Sequence, residues 1–293
     1  MGDGALRRRR PRDPSLRRFA HNRRFNGRCK GGTRAVQSKA IHSINGVSMH
    51  LDTSEAIQAT MVAGLYEPVQ TSWVAEKLRL GGVFVDVGAN FGWFTTLALS
   101  KVGKKGRVFS FEPSPVAFGT LRDSLPSSSF PHATLVNVAV GSEPGETIVY
   151  LPNSGEVHSP SVFSTPGDFR PHTVPRISLD TYPPFANINR IDIVKMDVEG
   201  SEPDVLEGMV GLIRAGKVRR ILCEFNTGWL KFNNSTSTSE ALEKRFAELG
   251  FEIETATEWS SGPDSLGGTF STRDILYKYV GSGFFSLIRS IFH

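Results

Sequence analysis

The stretch VFVDVGANFGWFTTLALS, residues 83–100, constrains the fold more than any other part of the chain. It runs apolar to Asp86, breaks at Gly88 and Gly92, and resumes with a helix-like pattern. A buried strand that passes through a glycine turn into a helix is the entry unit of a βα repeat. In an open sheet built from such units, ligands sit beyond the carboxyl ends of the strands, where strand order reverses.

The rest of the chain keeps the alternation. Residues 54–80 read as helical with an interruption at Pro68, and 91–101 as the helix after the glycine turn. Strands are predicted over RVFSFE (107–112), ATLVNVAV (133–140), GETIVYL (145–151), IDIVKMDV (191–198), VRRILCEFN (218–226), FEIETATE (251–258) and DILYKYV (274–280). Pro115 suits the first turn of a helix reaching Leu125. A further helix is expected from Glu202 to Ala215, and Ser237 with Glu240 makes a capping-box start for one ending at Gly250. Residues 152–175, rich in Pro, Ser, Gly and His, read as a loop too long for a plain connector. The order predicts an α/β fold with a doubly wound, mostly parallel sheet.

Charge divides the chain unevenly. Residues 1–39 hold 13 Lys/Arg against Asp3 and Asp13, a net +11, while the remainder has 21 bases and 27 acids, a net −6. With little periodicity and few aliphatics, residues 1–40 are expected to be a disordered basic arm. The arm could be plain solvated chain, a contact for RNA or another polyanion, or an organellar presequence. Residues 53–281 would then form the catalytic domain and 282–293 a short apolar tail, FFSLIRSIF at its centre. No apolar run approaches the ~20 residues needed to span a bilayer. Two distant cysteines, Cys29 and Cys223, favour a reducing compartment, so the cytoplasm is expected, with organellar import as the alternative.

The glycine turn differs from a dinucleotide fingerprint. G-x-G-x-x-G places its helix N-terminus against a pyrophosphate. Here the middle glycine is missing, and Asp86 stands two residues before Gly88. A carboxylate there suits a ligand with an ammonium and a sulfonium, as in S-adenosylmethionine. Glu112 ends the second strand 24 residues after Gly88, where an acid can accept both ribose hydroxyls.

The blocks VDVGANFGWFT, FSFEPSPVAF, LVNVAVG, ISLDTY, DIVKMDVEGSEPDVLEGM and ILCEFN occur in the order seen in FkbM-type methyltransferases, which the chain resembles over about residues 60–280. The resemblance implies a seven-stranded, Rossmann-like class I fold. It also implies S-adenosylmethionine-dependent methylation, usually of hydroxyls on sugars, antibiotics or other small molecules. By that resemblance Asp86, Gly88 and Asn90 line the methionine end of the donor, and Glu112 holds the ribose. Asn137 and Val138 flank the adenine, and Asp197 faces the methyl group.

Methyl transfer to a hydroxyl needs two partners positioned and one proton removed. Lys195, Asp197 and Glu199 alternate, which on a strand puts them on one face until the chain turns at Gly200. Asp197 and Glu199 are therefore candidate catalytic acids, with Glu224 at the end of the next strand a third. His158 and His172 lie in the long loop that could close over an acceptor. Asp197 and Glu224 could share a cation, but their spacing matches no recognised motif and no metal ligand is assigned. The expected activity is O-methylation of a small molecule or glycan. The alternatives are an RNA methyltransferase using the arm, for which only Phe19 and Phe25 offer stacking, and a binding protein that has lost catalysis.

Overall fold

The computed structural model describes residues 39–152, 169–226, 239–263 and 269–281. The basic arm to residue 38, His158, Ser237 and the apolar tail beyond residue 281 lie outside the described residues. Described residues begin with β1 (Lys39–Ile44) and β2 (Val47–Asp52), an antiparallel hairpin absent from the expected element order. Asn45 and Gly46 form its turn with φ of 51° and 83°, the positive pair that a two-residue hairpin loop requires. Ile44, Val47, Met49 and Leu51 are buried beneath it.

Helix α1 (Ala56–Val62) and α2 (Pro68–Lys77) follow, with Pro68 opening the second where its missing N–H costs nothing. Next come β3 (Val83–Val87), α3 (Trp93–Val102), β4 (Arg107–Phe111), α4 (Pro115–Ser124) and β5 (Ala133–Val136). The predicted strand 133–140 splits at Asn137. Its end, β6 (Ala139–Val140), leaves the main sheet and pairs with β8 (Phe169–Ile177), which also pairs with β7 (Gly145–Pro152). The expected loop 152–175 is thus corrected at its end, because Phe169–Ile177 is a strand and His172 stands exposed on it opposite Val149.

After β9 (Ile193–Met196) the expected helix 202–215 is two short ones, α5 (Glu202–Glu207) and α6 (Val210–Arg214). At the break the Gly208 carbonyl accepts from the Asp180 amide at 2.8 Å, and the Asp180 carboxylate accepts from the Gly211 and Leu212 amides at 2.7 and 2.8 Å, which starts a new helix. Gly208 approaches the Gly141 carbonyl so closely that a Cβ would lie 2.0 Å from its oxygen. The described chain ends with β10 (Arg220–Asn226), α7 (Ser239–Glu248), β11 (Phe251–Pro263) and β12 (Thr269–Tyr279).

The seven-stranded sheet runs β11-β12-β10-β9-β3-β4-β5. Its pairs from β10 to β5 are parallel, and both pairs of β12 are antiparallel. Strand order reverses between β3 and β9, so a ligand is expected at their carboxyl ends.

Strand alternation sends side chains to two cores. Val85, Val87, Val194, Met196, Ile221 and Phe225 pack under α5, α6 and α7 on one face. Phe84, Val108, Ile193 and Leu222 pack under the hairpin and α1 to α4 on the other. Along this second face the pattern changes in step. Two residues beyond Phe84, Val108, Ile193 and Leu222 stand Asp86, Ser110, Lys195 and Glu224. One face is therefore apolar at the amino ends of its parallel strands and polar at their carboxyl ends.

Candidate active site

The turn after β3 is shaped by two glycines. Gly88 has φ +80°, and a Cβ there would sit 1.9 Å from the Asp197 carbonyl oxygen, so β3 and β9 approach as only glycine allows. Gly92 has φ +96° and faces Leu121 of α4. The Gly88 and Ala89 amides donate to the Phe111 carbonyl, each at 3.0 Å, fixing the turn over the end of β4.

Asp86 is 1% exposed, and its Oδ2 accepts from Thr95 Oγ1 at 2.7 Å. Its Oδ1 is buried and accepts no hydrogen bond. Burial raises its carboxyl above the ordinary range, against the pull of Lys195 and the Thr95 hydrogen bond. Asn90 sits at φ 50°, and its amide donates to Glu112 Oε2 at 2.7 Å, while the Ser114 amide donates to Oε1 at 2.7 Å. Burial pushes Glu112 up to about 7, although these two amides favour the ionised form. Asn137 Nδ2 donates to the Glu112 and Pro113 carbonyls at 2.7 and 3.1 Å, and Val138 follows, half-buried.

A cleft opens beside this turn, lined by Met61, Tyr66, Asp86, Gly88, Asn90, Phe94, Lys195 and Asp197 among others. Of the expected donor residues, Asp86, Gly88, Asn90 and Asp197 line it; Glu112, Asn137 and Val138 are outside its lining, where Glu112 and Asn137 organise the loops behind it. Lys195 is in register with Asp86 across β3 and β9. Its Nζ meets Asp197 Oδ2 at 2.8 Å and lies 4.8 Å from the centre of the Phe94 ring. Burial disfavours the ammonium, but Asp197, Glu67 and Asp86 outweigh it and hold Lys195 charged, above its ordinary range.

The expected row Lys195, Asp197, Glu199 is corrected. β9 ends at Met196; Asp197, just past it, still donates its amide to the Val87 carbonyl at 3.1 Å, and the strand alternation goes no further. Glu199 has φ 54° and lies in the turn before α5. There burial, with Asp197 and Glu202 near, raises its carboxyl well above the ordinary range. Glu202 receives the Gly200 amide at 3.1 Å and is pushed up to about 7 by burial. Glu224 remains with Asp197, and burial together with Asp197, Glu67 and Asp274 raises it.

Glu67, which no sequence motif marks, completes this group from above. Oxygens of Glu67, Asp197 and Glu224 lie within 4.8 Å of one another. Among the described residues this is the one grouping of acids, His or Cys close enough to share a cation. The Lys195 ammonium is already seated against Asp197, and we assign no metal there. Gln70 Nε2, one turn along α2, donates to Asp274 Oδ2 on β12 and ties the helix to the sheet. The only hint of Glu67 in the sequence is an acid directly before the proline that opens a helix, a signal too common to single it out.

A cleft at the β3/β9 switch point, with an acid on β3 and another at the end of β4, defines a class I, Rossmann-like methyltransferase. A family model described as the Methyltransferase FkbM domain matches residues 86–253, more than half of the chain, and the protein belongs to that family. It is an S-adenosylmethionine-dependent methyltransferase. Hexuronic acid methyltransferase AglP of Haloferax volcanii is 26% identical over 200 residues, covering 67% of this chain and 78% of its own. Looser likenesses join it to solved structures. M. jannaschii TYW2 in complex with AdoMet is 12% identical with a TM-score of 0.40, covering 85% of this chain and 90% of its own. A SAM-dependent O-methyltransferase of Thermotoga maritima is 13% identical with a TM-score of 0.38, covering 74% and 66%. At scores this low, neither likeness bears on the choice of acceptor. Among the described residues no helix is long and apolar enough to cross a membrane.

Proposed function

We propose that the chain is an O-methyltransferase acting on a hydroxyl of a small molecule or glycan. The observation that carries this reading is the convergence of Asp197 and Glu224 with a further carboxylate at the carboxyl ends of β9 and β10, beside the donor cleft. Carboxylates are hydrogen-bond acceptors when ionised, so they call for a ligand that brings donors. Sugar hydroxyls do. The relative described as a hexuronic acid methyltransferase supports a sugar-like acceptor.

In this reading the unpartnered Asp86 Oδ1 takes the donor's ammonium, and Gly88 and Asn90 line its methionine end. Glu112 accepts the ribose hydroxyls, Asn137 and Val138 flank the adenine, and Asp197 faces the methyl group. The transfer is an in-line displacement. The hydroxyl oxygen attacks the methyl carbon, the sulfonium bond breaks, and a carboxylate of this group receives the proton.

The test is transfer of tritiated methyl from S-adenosylmethionine into fractionated RNA, protein, glycan and small-metabolite pools. Label is expected in the glycan or metabolite fraction and should survive mild alkali, as an ether does and a carboxyl ester does not. Label confined to RNA would overturn the reading and give the role of acceptor binding to the basic residues 1–39.

A further inference from the structure

We infer that Glu67, carried by the turn in front of α2, takes the proton of the acceptor hydroxyl during methyl transfer. This rests on the proposal that the acceptor is a hydroxyl. It moves the proton-accepting role from the sheet to the turn that follows Tyr66, a residue of the cleft lining.

Three observations carry it. First, Asp197 already shares Oδ2 with the Lys195 ammonium at 2.8 Å, which anchors that carboxylate as a positioning group. Glu199 lies off the strand, and Glu224 stands in the sheet between the chains of Asp197 and Asp274. Second, Glu67 Oε2 is buried and accepts no hydrogen bond, and a Glu67 oxygen lies within 4.8 Å of oxygens of Asp197 and Glu224, while Tyr66 hydrogen-bonds the same carboxyl. Buried acceptors are almost always paired, and an orphan needs an explanation. Third, Glu67 is held at φ 40° directly before Pro68, and its neighbour Tyr66 lines the donor cleft and packs edge-on against Trp93 at 5.8 Å. The turn that carries Glu67 is thereby fixed to the helix that begins the donor site.

The electrostatics agree with this geometry. Burial pushes the Glu67 carboxyl up to about 7, with Lys195 pulling down, Asp197 and Asp274 pushing up, and Tyr66 pulling down. Glu224 and Glu199 also feel its charge. A general base works best when its pKa lies near the operating pH. In the step itself the hydroxyl O–H breaks and an O–CH₃ bond forms. The S–CH₃ bond breaks with its electron pair left on sulfur, giving S-adenosylhomocysteine, and the proton ends on Glu67.

Glu67→Gln and Glu67→Asp test this in the full chain. With the fraction that accepts tritiated methyl from the wild type as substrate, Glu67→Gln should turn over about 10²–10⁴-fold more slowly. Glu67→Asp should recover part of that loss, while calorimetry gives a dissociation constant for S-adenosylmethionine within twofold of wild type for both. A measurement on the protein alone stands beside it. In the ¹³C-glutamate spectrum, the carboxyl signal missing from Glu67→Gln should titrate near neutrality. Undiminished turnover of Glu67→Gln on a hydroxyl, or a Glu67 signal titrating in the ordinary carboxylate range, would overturn the inference alone. Wild-type label found only on carboxyl or amine groups would instead overturn the hydroxyl reading beneath it.

Discussion

Glu112 illustrates how one buried carboxylate serves two structures at once. Each of its oxygens already receives a loop amide, from Asn90 and from Ser114, at 2.7 Å. Each keeps a second lone pair, which is what a ribose diol would use. Without ligand, burial holds the group up to about 7. Hydroxyl donors favour the ionised form, so donor binding should expel a proton whenever Glu112 begins protonated. Affinity for S-adenosylmethionine is therefore expected to fall as pH drops below about 7. Glu112→Gln should weaken binding about 10- to 100-fold, the worth of hydrogen bonds to a charged acceptor, and remove much of that pH dependence. Calorimetry at several pH values decides it; an unchanged affinity in the variant would end the ribose assignment. Lys195 is the complementary case. Its ammonium is the cation seated among Asp86, Asp197 and Glu67, and breaking such a buried pair from one side typically costs about 3–5 kcal/mol.

At the scale of elements, the site depends on how closely β3 and β9 come together. The Gly88 position allows no side chain, since its Cβ would overlap the backbone of Asp197 and its φ is left-handed. Gly88→Ala is expected to push the end of β3 from β9, destabilise the protein by about 1–3 kcal/mol from backbone strain alone, and lose measurable donor binding. Thermal unfolding and calorimetry would test both parts, and a variant that binds donor like wild type would refute the close-packing account. This turn was legible in the sequence because glycine spacing and a terminal acid are local signals. The parallel strands were legible for the same reason, each an apolar run bounded by turn residues. What the sequence concealed was set by distant contacts. Asn137 ends β5 because its side chain bonds the carbonyls of Glu112 and Pro113, which a strand propensity cannot register. The 202–215 helix breaks where Gly208 meets Gly141, 67 residues earlier in the chain. Asn45 and Gly46 carried a readable hairpin signal that the dominant βα pattern overshadowed. In the structure Asn45 Nδ2 donates to Thr96 Oγ1 at 3.1 Å, clamping that hairpin onto α3. Glu67 was hidden for the most basic reason: only the docking of α2 against the sheet brings it to Asp197 and Glu224.

For the whole molecule, the acids gathered at one end of the sheet set how stability depends on pH. Glu67, Glu112 and Glu202 are each pushed up to about 7 in the folded chain, first by burial. In the unfolded chain such groups titrate near 4.3. Between those values the folded state keeps protons that the unfolded state has released, so this contribution is complete below about 4.3 and is lost as pH rises through about 7. Glu254 runs the other way, lowered despite its partial burial by Arg220 at 2.7 Å and Lys77 at 3.0 Å, but its effect is confined to acid pH. Between pH 5.5 and 8 the ligand-free protein should therefore unfold at steadily lower temperature as pH rises, where each 1 kcal/mol moves the midpoint by about 2–4 °C in a chain of this size. S-adenosylmethionine opposes the trend, because its ammonium and sulfonium enter an acidic cleft and its hydroxyls favour ionised Glu112. The thermal shift produced by saturating donor should accordingly be larger at pH 8 than at pH 6. Scanning fluorimetry across that range, with and without donor, separates the outcomes. A ligand-free midpoint that climbs from pH 6 to 8 would mean these carboxylates are ionised without penalty in the folded protein. A donor shift that stays constant would mean that the donor does not bind through ionised Glu112.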